Sequence, residues 1–385
     1  MTPMTLKILR RIVLVVFACS FTWFMVELPA ITGLLDYRSI MGPFHAWWAP
    51  NVSDPELLTV HRPHAQQTGS SRGGSAAIAY RVPASDLALY QWDVRYDRHG
   101  FRNPDAMQRA GIAVIGDSFV EDLTVPGPEL MTSRLAALQG EPVANLGQAT
   151  YGPQQEFVVL KRYALPLHPH TILWLFSEAS DLGDVLYYDR TINNPPGFWH
   201  DAWRRSFTRR VYYMIKHSFN PSQKPDGAKY SGIFPAADGQ RRTLYFNTET
   251  RPLNQEELGA LHETVNILSA AQDLAAADGI RLVFVFVPMK FRVYQPYCDF
   301  PAASLCSKWG SNDLADRLQK VLAAEAAEIE YVDLTPVLRK AASQGVLTYY
   351  ADDDHWSPEG NRVVAQFLNE YLATKVTAVR AREGQ

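Results

Sequence analysis

The sequence predicts an α/β fold in which a parallel sheet lies between two layers of helices, and three observations carry that prediction. From Gly111 onward short apolar runs recur, amphipathic helical stretches fill the gaps between them, and the runs show none of the polar alternation of strands with one wet face. In chain order the strand candidates are "IAVIG" (112–116), "VANLG" (143–147), "TILWLF" (171–176) and "RLVFVFV" (281–287), with "EYVDL" (330–334) as a weaker fifth. The clearest helix opens with Asn254 and Glu257 as a capping box and carries Leu258, Leu261, Val265 and Leu268 on one face. The last helix starts at Ser357 as N-cap and Pro358 as first helical position, and Val363, Val364, Phe367, Leu368, Tyr371 and Leu372 mark its buried stripe.

The bulk properties bound what such a chain does. Its 385 residues, 47% of them hydrophobic, suffice for one large domain with a sizeable core. A net charge of −3 gives no general reason to expect nucleic acid as a partner, and none is expected. Ahead of the α/β region, Lys7, Arg10 and Arg11 form a basic flank (1–11) before fifteen uncharged residues, Ile12 to Val26; Glu27 and a second apolar stretch to Leu35 follow. The first run alone spans roughly 22 Å, so a crossing of about 30 Å must borrow from the second. The segment 12–35 reads as an uncleaved signal anchor ahead of a cleaved signal peptide or a lipoprotein attached through Cys19, because no small-x-small site ends the apolar run. The basic flank then leaves the rest of the chain outside the cytoplasm, single-pass on an inner membrane with its main domain in the periplasm. In an oxidising compartment Cys298 and Cys306, eight apart in "YCDFPAASLC", are expected to form a disulfide.

Residues 36–110 form a mixed N-terminal segment expected to pack on the main domain, with "QQTGSSRGGS" reading as a loop or linker. Between the third and fourth strands, residues 185–250 interrupt the rhythm. Asp201 to Arg242 contains nine Lys/Arg against three Asp, interleaved with aromatics. This insertion is expected to form a lid, either a solvated cap or a surface for an acidic polysaccharide or lipid headgroup.

Chemistry in a parallel sheet gathers beyond the carboxyl ends of its strands. There "IGDSFVED" places Ser118, either as part of a helix N-cap or as a nucleophile with backbone N–H groups free for an oxyanion. Near the other end, "DDDHWSPEGN" sets His355 just before the last helix. A general base needs a carboxylate to fix its tautomer. Because residues three apart in a turn face one another, the spacing selects Asp352 as that partner and leaves Asp353 and Asp354 as solvated turn residues. "GSSRG", centred on Ser71, fits a nucleophile-elbow pattern but has polar loop on both flanks and is set aside. "HRPH" (His61, His64) and "HPH" (His168, His170) lack an accompanying carboxylate cluster, so no metal site is expected. Lys290, Arg292 and Tyr294, after the fourth strand, and "GFRNP" (100–104) are placed near the site without an assigned role.

Gly116-Asp117-Ser118 and Asp352-Asp353-Asp354-His355, in this order at opposite ends of the domain, resemble the first and last blocks of the SGNH (GDSL-like) hydrolase superfamily. The resemblance covers roughly residues 111–374 and implies a three-layer α/β/α domain with a flavodoxin-like sheet. It also implies Ser118, His355 and Asp352 as catalytic residues, with Ser118, Gly147 of "NLGQATYG" and Ser180 of "SEASDL" around the oxyanion. Ser180 stands where the family usually carries asparagine; losing one oxyanion donor typically costs about 2.7–4 kcal/mol of transition-state stabilisation. The expectation that follows is a cofactor-free serine esterase acting on acyl esters, O-acetyl esters foremost, of envelope or secreted polysaccharide. A polysaccharide O-acetyltransferase with the same triad and a silent carbohydrate-binding scaffold are the alternatives, and polysaccharide-biosynthesis proteins are candidate partners.

Overall fold

A computed structural model of the chain describes residues 3–37, 51–195, 197–219, 224–249, 251–325 and 328–383. The chain divides into two units, Met1–Trp48 with Thr191–Gln223, and Ala49–Arg190 with Lys224–Gln385.

The larger unit is built on a parallel sheet of five strands: β5 (Ile112–Gly116), β6 (Val143–Gly147), β7 (Thr171–Ser177), β10 (Arg281–Val287) and β11 (Glu330–Asp333). Its order is β11-β10-β7-β5-β6, the flavodoxin-like arrangement, and the sequence runs become strands at the expected residues. Successive side chains of each strand feed opposite cores, which is why the runs are apolar throughout. Ala113, Ile115, Trp174, Phe176, Phe284 and Phe286 face the helices 153–159, 255–277 and 314–325. Ile112, Val114, Leu173, Leu175, Val283 and Val285 face the helices 131–139, 335–343 and the C-terminal helix. The capping box of Asn254 and Glu257 forms in both directions, and Ser357 caps the C-terminal helix through the Gly360 N–H at 3.2 Å. Along that helix Val364, Leu368 and Leu372 are buried, as their spacing requires.

Ahead of the sheet come two short hairpins of the same unit: β1 (Asn51–Asp54) with β2 (Leu58–His61), then β3 (Gln66–Arg72) with β4 (Leu89–Arg95). Most of the predicted polar linker is thus strand β3. Its partner β4, "LYQWDVR", alternates exposed and buried residues and supplies the apolar face that β3 lacks. Gly69 lies beneath the Trp92 indole, where a Cβ would come within 2.5 Å of the ring. Ser71 is paired with Tyr90 inside this hairpin, so it lies within the strand and not at the turn that leads into the helix Ser75–Ala79. Residues 38–50 of the expected N-terminal segment lie outside the described residues.

The region expected as one lid divides. Its β8 (Ser231–Pro235) and β9 (Arg241–Tyr245) form a hairpin in the larger unit, whereas the helices Phe198–Arg205 and Phe207–Phe219 belong with the N-terminal helix Pro3–Ile31. Cys298 and Cys306 are free thiols, against the predicted disulfide. Cys306 is buried in the core cluster containing Phe291 and Trp356, and Cys298 packs against that cluster, so each fills space as a small apolar side chain. Burial pushes both thiols up, to about 12 and about 11, which disfavours the thiolate that disulfide exchange needs.

Candidate active site

Strand β5 delivers Gly116 to the carboxyl edge of the sheet and the chain turns at once into a short helix, Ser118–Glu121. Asp117 caps it, accepting the Phe119 N–H at 2.9 Å. Ser118 is therefore the first helical residue, at the edge of β5 where strand order reverses. Gly147, at the end of β6, allows this helix to sit where it does: a Cβ there would come within 2.4 Å of the Glu121 nitrogen. The far end of the helix is held by the "GFRNP" segment, whose Arg102 donates to the Glu121 and Asp122 carbonyls and, at 3.1 Å, to Val125 O.

The imidazole of His355 meets this serine, with Nε2 2.8 Å from Ser118 Oγ. The backbone of His355 is fixed on both sides. Its carbonyl accepts the Tyr350 N–H, Tyr349 bridges to Trp356, and Ser357 N–H donates to Thr348 O. On the other ring nitrogen, Nδ1 lies 2.6 Å from Asp353 Oδ1. The orienting carboxylate is thus Asp353 and not Asp352. The reason is an Asx turn: Asp353 Oδ1 also accepts the His355 N–H, two residues on, at 2.9 Å, which swings the carboxylate to the imidazole side. Its Oδ2 accepts the Ser75 N–H at 2.7 Å. Asp352 is wholly buried and turned away, accepting the N–H groups of Gly74 and Ala88 at 3.1 Å and the Tyr90 hydroxyl at 2.6 Å. It ties the residues around β3 and β4 to the histidine loop.

Electrostatics follow the geometry. Burial disfavours the Asp353 charge, but His355 and the N–H donors hold its carboxyl down at about 2. Burial likewise disfavours the imidazolium, yet Asp353, with Asp122 and Asp117 behind it, pushes His355 up to about 9. Asp354 is raised by burial to about 6, opposed by Lys290. Lys290, buried and lowered by desolvation, spends its three N–H donors on the carbonyls of Tyr245, Ala351 and Asp353 and so fixes the loop from beneath. Arg292 forms a buried pair with Glu178, and Tyr294 bonds to Thr348, so these three residues support the site rather than line it. A small depression is lined by Ala179, Phe246, Asn247, Thr248, Lys290 and Asp354, and neither Ser118 nor His355 is among its lining residues.

Two expected oxyanion donors are committed elsewhere. Ser180 Oγ donates to Asp117 Oδ2 at 2.8 Å, with Asp181 Oδ1 3.2 Å away. A hydroxyl carries one hydrogen, and here two carboxylates compete for it. The Gly147 N–H donates to Asn145 Oδ1 at 3.2 Å. Three residues further on, Thr150 has φ +71°, in the left-handed region that β-branched residues rarely occupy. Also missed by the sequence reading was His61, which faces Glu121 Oε1 at 2.8 Å beneath the serine helix, where Tyr96 donates to the same oxygen. Nothing in a lone "HRPH" points to that contact. Among the described residues no group of His, Cys, Asp and Glu is arranged to hold a metal ion.

Residues 237–385 match the family model described as an SGNH hydrolase-like domain, acetyltransferase AlgX. A curated relative, the "probable alginate O-acetylase AlgJ" of Pseudomonas putida, is 28% identical over 138 residues, 35% of this chain and 33% of that protein, so the chain spans about a third of that relative's length. Similar solved structures include a lipase/acylhydrolase from Enterococcus faecalis (14% identity, TM-score 0.34, 69% of this chain and 95% of that one). Another is an acetylxylan esterase from Geobacillus stearothermophilus, solved as a catalytic mutant (11% identity, TM-score 0.35, 67% and 92%). Residues 237–385 are thus similar to an SGNH hydrolase-like domain, and the five-stranded parallel sheet has the flavodoxin-like order that the SGNH (GDSL-like) resemblance implies.

Proposed function

We propose that the chain is a serine-dependent O-acetyl enzyme acting on polysaccharide outside the cytoplasm, and the unbroken line Ser118–His355–Asp353 is the observation that carries this reading. Ser118 Oγ attacks the acyl carbonyl and passes its proton to His355 Nε2; the ester C–O bond breaks as His355 returns the proton to the departing alkoxide. An acceptor hydroxyl then gives its proton to His355, attacks the acyl-serine and releases Ser118. A sugar hydroxyl as acceptor makes the reaction a transfer, and water makes it hydrolysis. The acetyltransferase domain match and the O-acetylase relative favour transfer, with hydrolysis as the side reaction. The Ser118 N–H, at the start of its helix, is one oxyanion donor. The strained turn at Thr150 is where we place a second, since strain of this kind gathers at functional sites.

The N-terminal helix supports an inner-membrane anchor. Its segment Lys7–Ile31 is long and apolar enough to cross a bilayer, and its basic end supports the orientation that leaves the larger unit in the periplasm.

Reaction of the full chain with a fluorophosphonate tests the chemistry. The reading expects one adduct, located on Ser118 and absent from Ser118→Ala; folded protein that takes no label would instead be the silent scaffold that the committed Ser180 hydroxyl favours. Turnover of a small acetyl ester with and without oligosaccharide then divides transfer from hydrolysis: acetylated sugar appears only with a transferase.

A further inference from the structure

The smaller unit joins the N-terminal helix to the helices Phe198–Arg205 and Phe207–Phe219, and the level of contact is informative. From Ile8 to Met25 the N-terminal helix is exposed at every residue, and packing begins at Val26. A hydrocarbon core of about 30 Å takes about twenty residues, so counted from Lys7 the bare stretch is about one bilayer long and Glu27 stands at its outer boundary. There Glu27, itself buried, accepts the Phe207 N–H at 3.2 Å and the Thr208 N–H at 2.6 Å, neutralised by the start of a helix. Trp23 donates to Thr208 Oγ1 at 2.7 Å and Arg205 to Ala30 O at 3.1 Å.

The two helices carried at this level expose what soluble helices hide. Trp199 and Trp203 stand four residues apart and Tyr212 and Ile215 three apart, each pair on one face; Trp199 is 73% exposed and Phe198 beside it 57%. Arg204, Arg205, Arg209, Arg210 and Lys216 accompany them against a single acid, Asp201. Exposed aromatics beside arginine and lysine, continuous with the end of an apolar span, are the composition of a helix lying in a membrane interface.

We propose that these helices form an interfacial platform, bound to the outer surface of the same bilayer through anionic phospholipid headgroups, with Phe198, Trp199, Trp203, Tyr212 and Ile215 sunk to the headgroup–acyl boundary. This rests on the reading of the N-terminal helix as a membrane span. The basic, aromatic insertion then serves the lipid surface and not the polysaccharide.

The test is site-directed spin labelling of the full chain in bilayers of phosphatidylethanolamine and phosphatidylglycerol. Cys19, Cys298 and Cys306 are replaced by alanine and single labels are placed through Val15→Cys, Trp199→Cys, Tyr212→Cys, Ile215→Cys and Leu138→Cys. Collision rates with oxygen and with a water-soluble nickel chelate report depth; Ser118 labelling by fluorophosphonate verifies that each variant folds. The platform labels are expected to be several-fold more accessible to oxygen than to nickel, at a depth between Val15 in the core and Leu138 in water. Aqueous values at all three, with Val15 still deep, overturn the platform and leave the span standing; an aqueous Val15 beside shallow platform labels overturns the span alone. Protection of the platform labels from both reagents means that a protein covers them, which also overturns the proposal.

Discussion

At the scale of single residues, the two neighbouring aspartates of the histidine loop divide labour. Asp352→Asn weakens three buried hydrogen bonds that the carboxylate accepts. Its cost falls on stability, about 1–3 kcal/mol in denaturant melts, while turnover per folded molecule changes little. His355, raised to about 9, is protonated in the resting enzyme at neutral pH and works as a base only once deprotonated. The profile of kcat/KM against pH is therefore expected to climb toward pH 9, and Asp353→Asn to move that limb to lower pH, since the carboxylate is what raises the imidazole. The stability of the pair has the opposite sense. The histidine contribution is full below its unfolded pKa near 6.5 and is lost as pH rises through about 9; the aspartate contribution is lost as pH falls through about 2. The sequence disclosed that a carboxylate would serve His355, but not which. In a three-aspartate turn, side-chain direction depends on which oxygen captures its own backbone two residues on, and composition does not encode that capture.

At the scale of elements, the sheet was legible because strands buried on both faces leave an unmistakable run of apolar residues, and the serine helix because Asp117 is a good cap. What escaped was set by contact between distant segments. "QQTGSSRGGS" has the composition of a loop, and it becomes strand β3 because β4 lends it a buried face. Gly147 was expected to donate into the oxyanion hole, and its structural effect is to admit the Ser118–Glu121 helix against β6. Gly147→Ala should push that helix away from β6, costing about 1–3 kcal/mol by the measure of overpacked cores and lowering the rate of Ser118 phosphonylation. Lys290→Met would leave the carbonyls of Tyr245, Ala351 and Asp353 short of a donor; differential scanning calorimetry should find a comparable loss, with the histidine loop protected less from hydrogen exchange.

At the scale of the whole molecule, two long-range relations organise the chain. One closes the catalytic line between residues 118 and 355, and its two blocks were legible because each is a short motif at a strand or helix end. The other gathers the N-terminal helix and half of the insertion into a separate unit, a relation with no signature beyond shared aromatic and basic composition. The cysteines follow packing as well: protein denatured without reductant should titrate all three thiols, whereas a Cys298–Cys306 bond would leave one. The central claim is that Asp353, through His355, activates Ser118, and the most direct measurement is the rate of Ser118 phosphonylation by a fluorophosphonate in Asp353→Asn and Asp352→Asn, side by side on folded protein. A fall on the order of 10³–10⁴-fold in the first, with the second within a few-fold of the unaltered chain, is the predicted result. A reversed order, or equal losses in both, contradicts it.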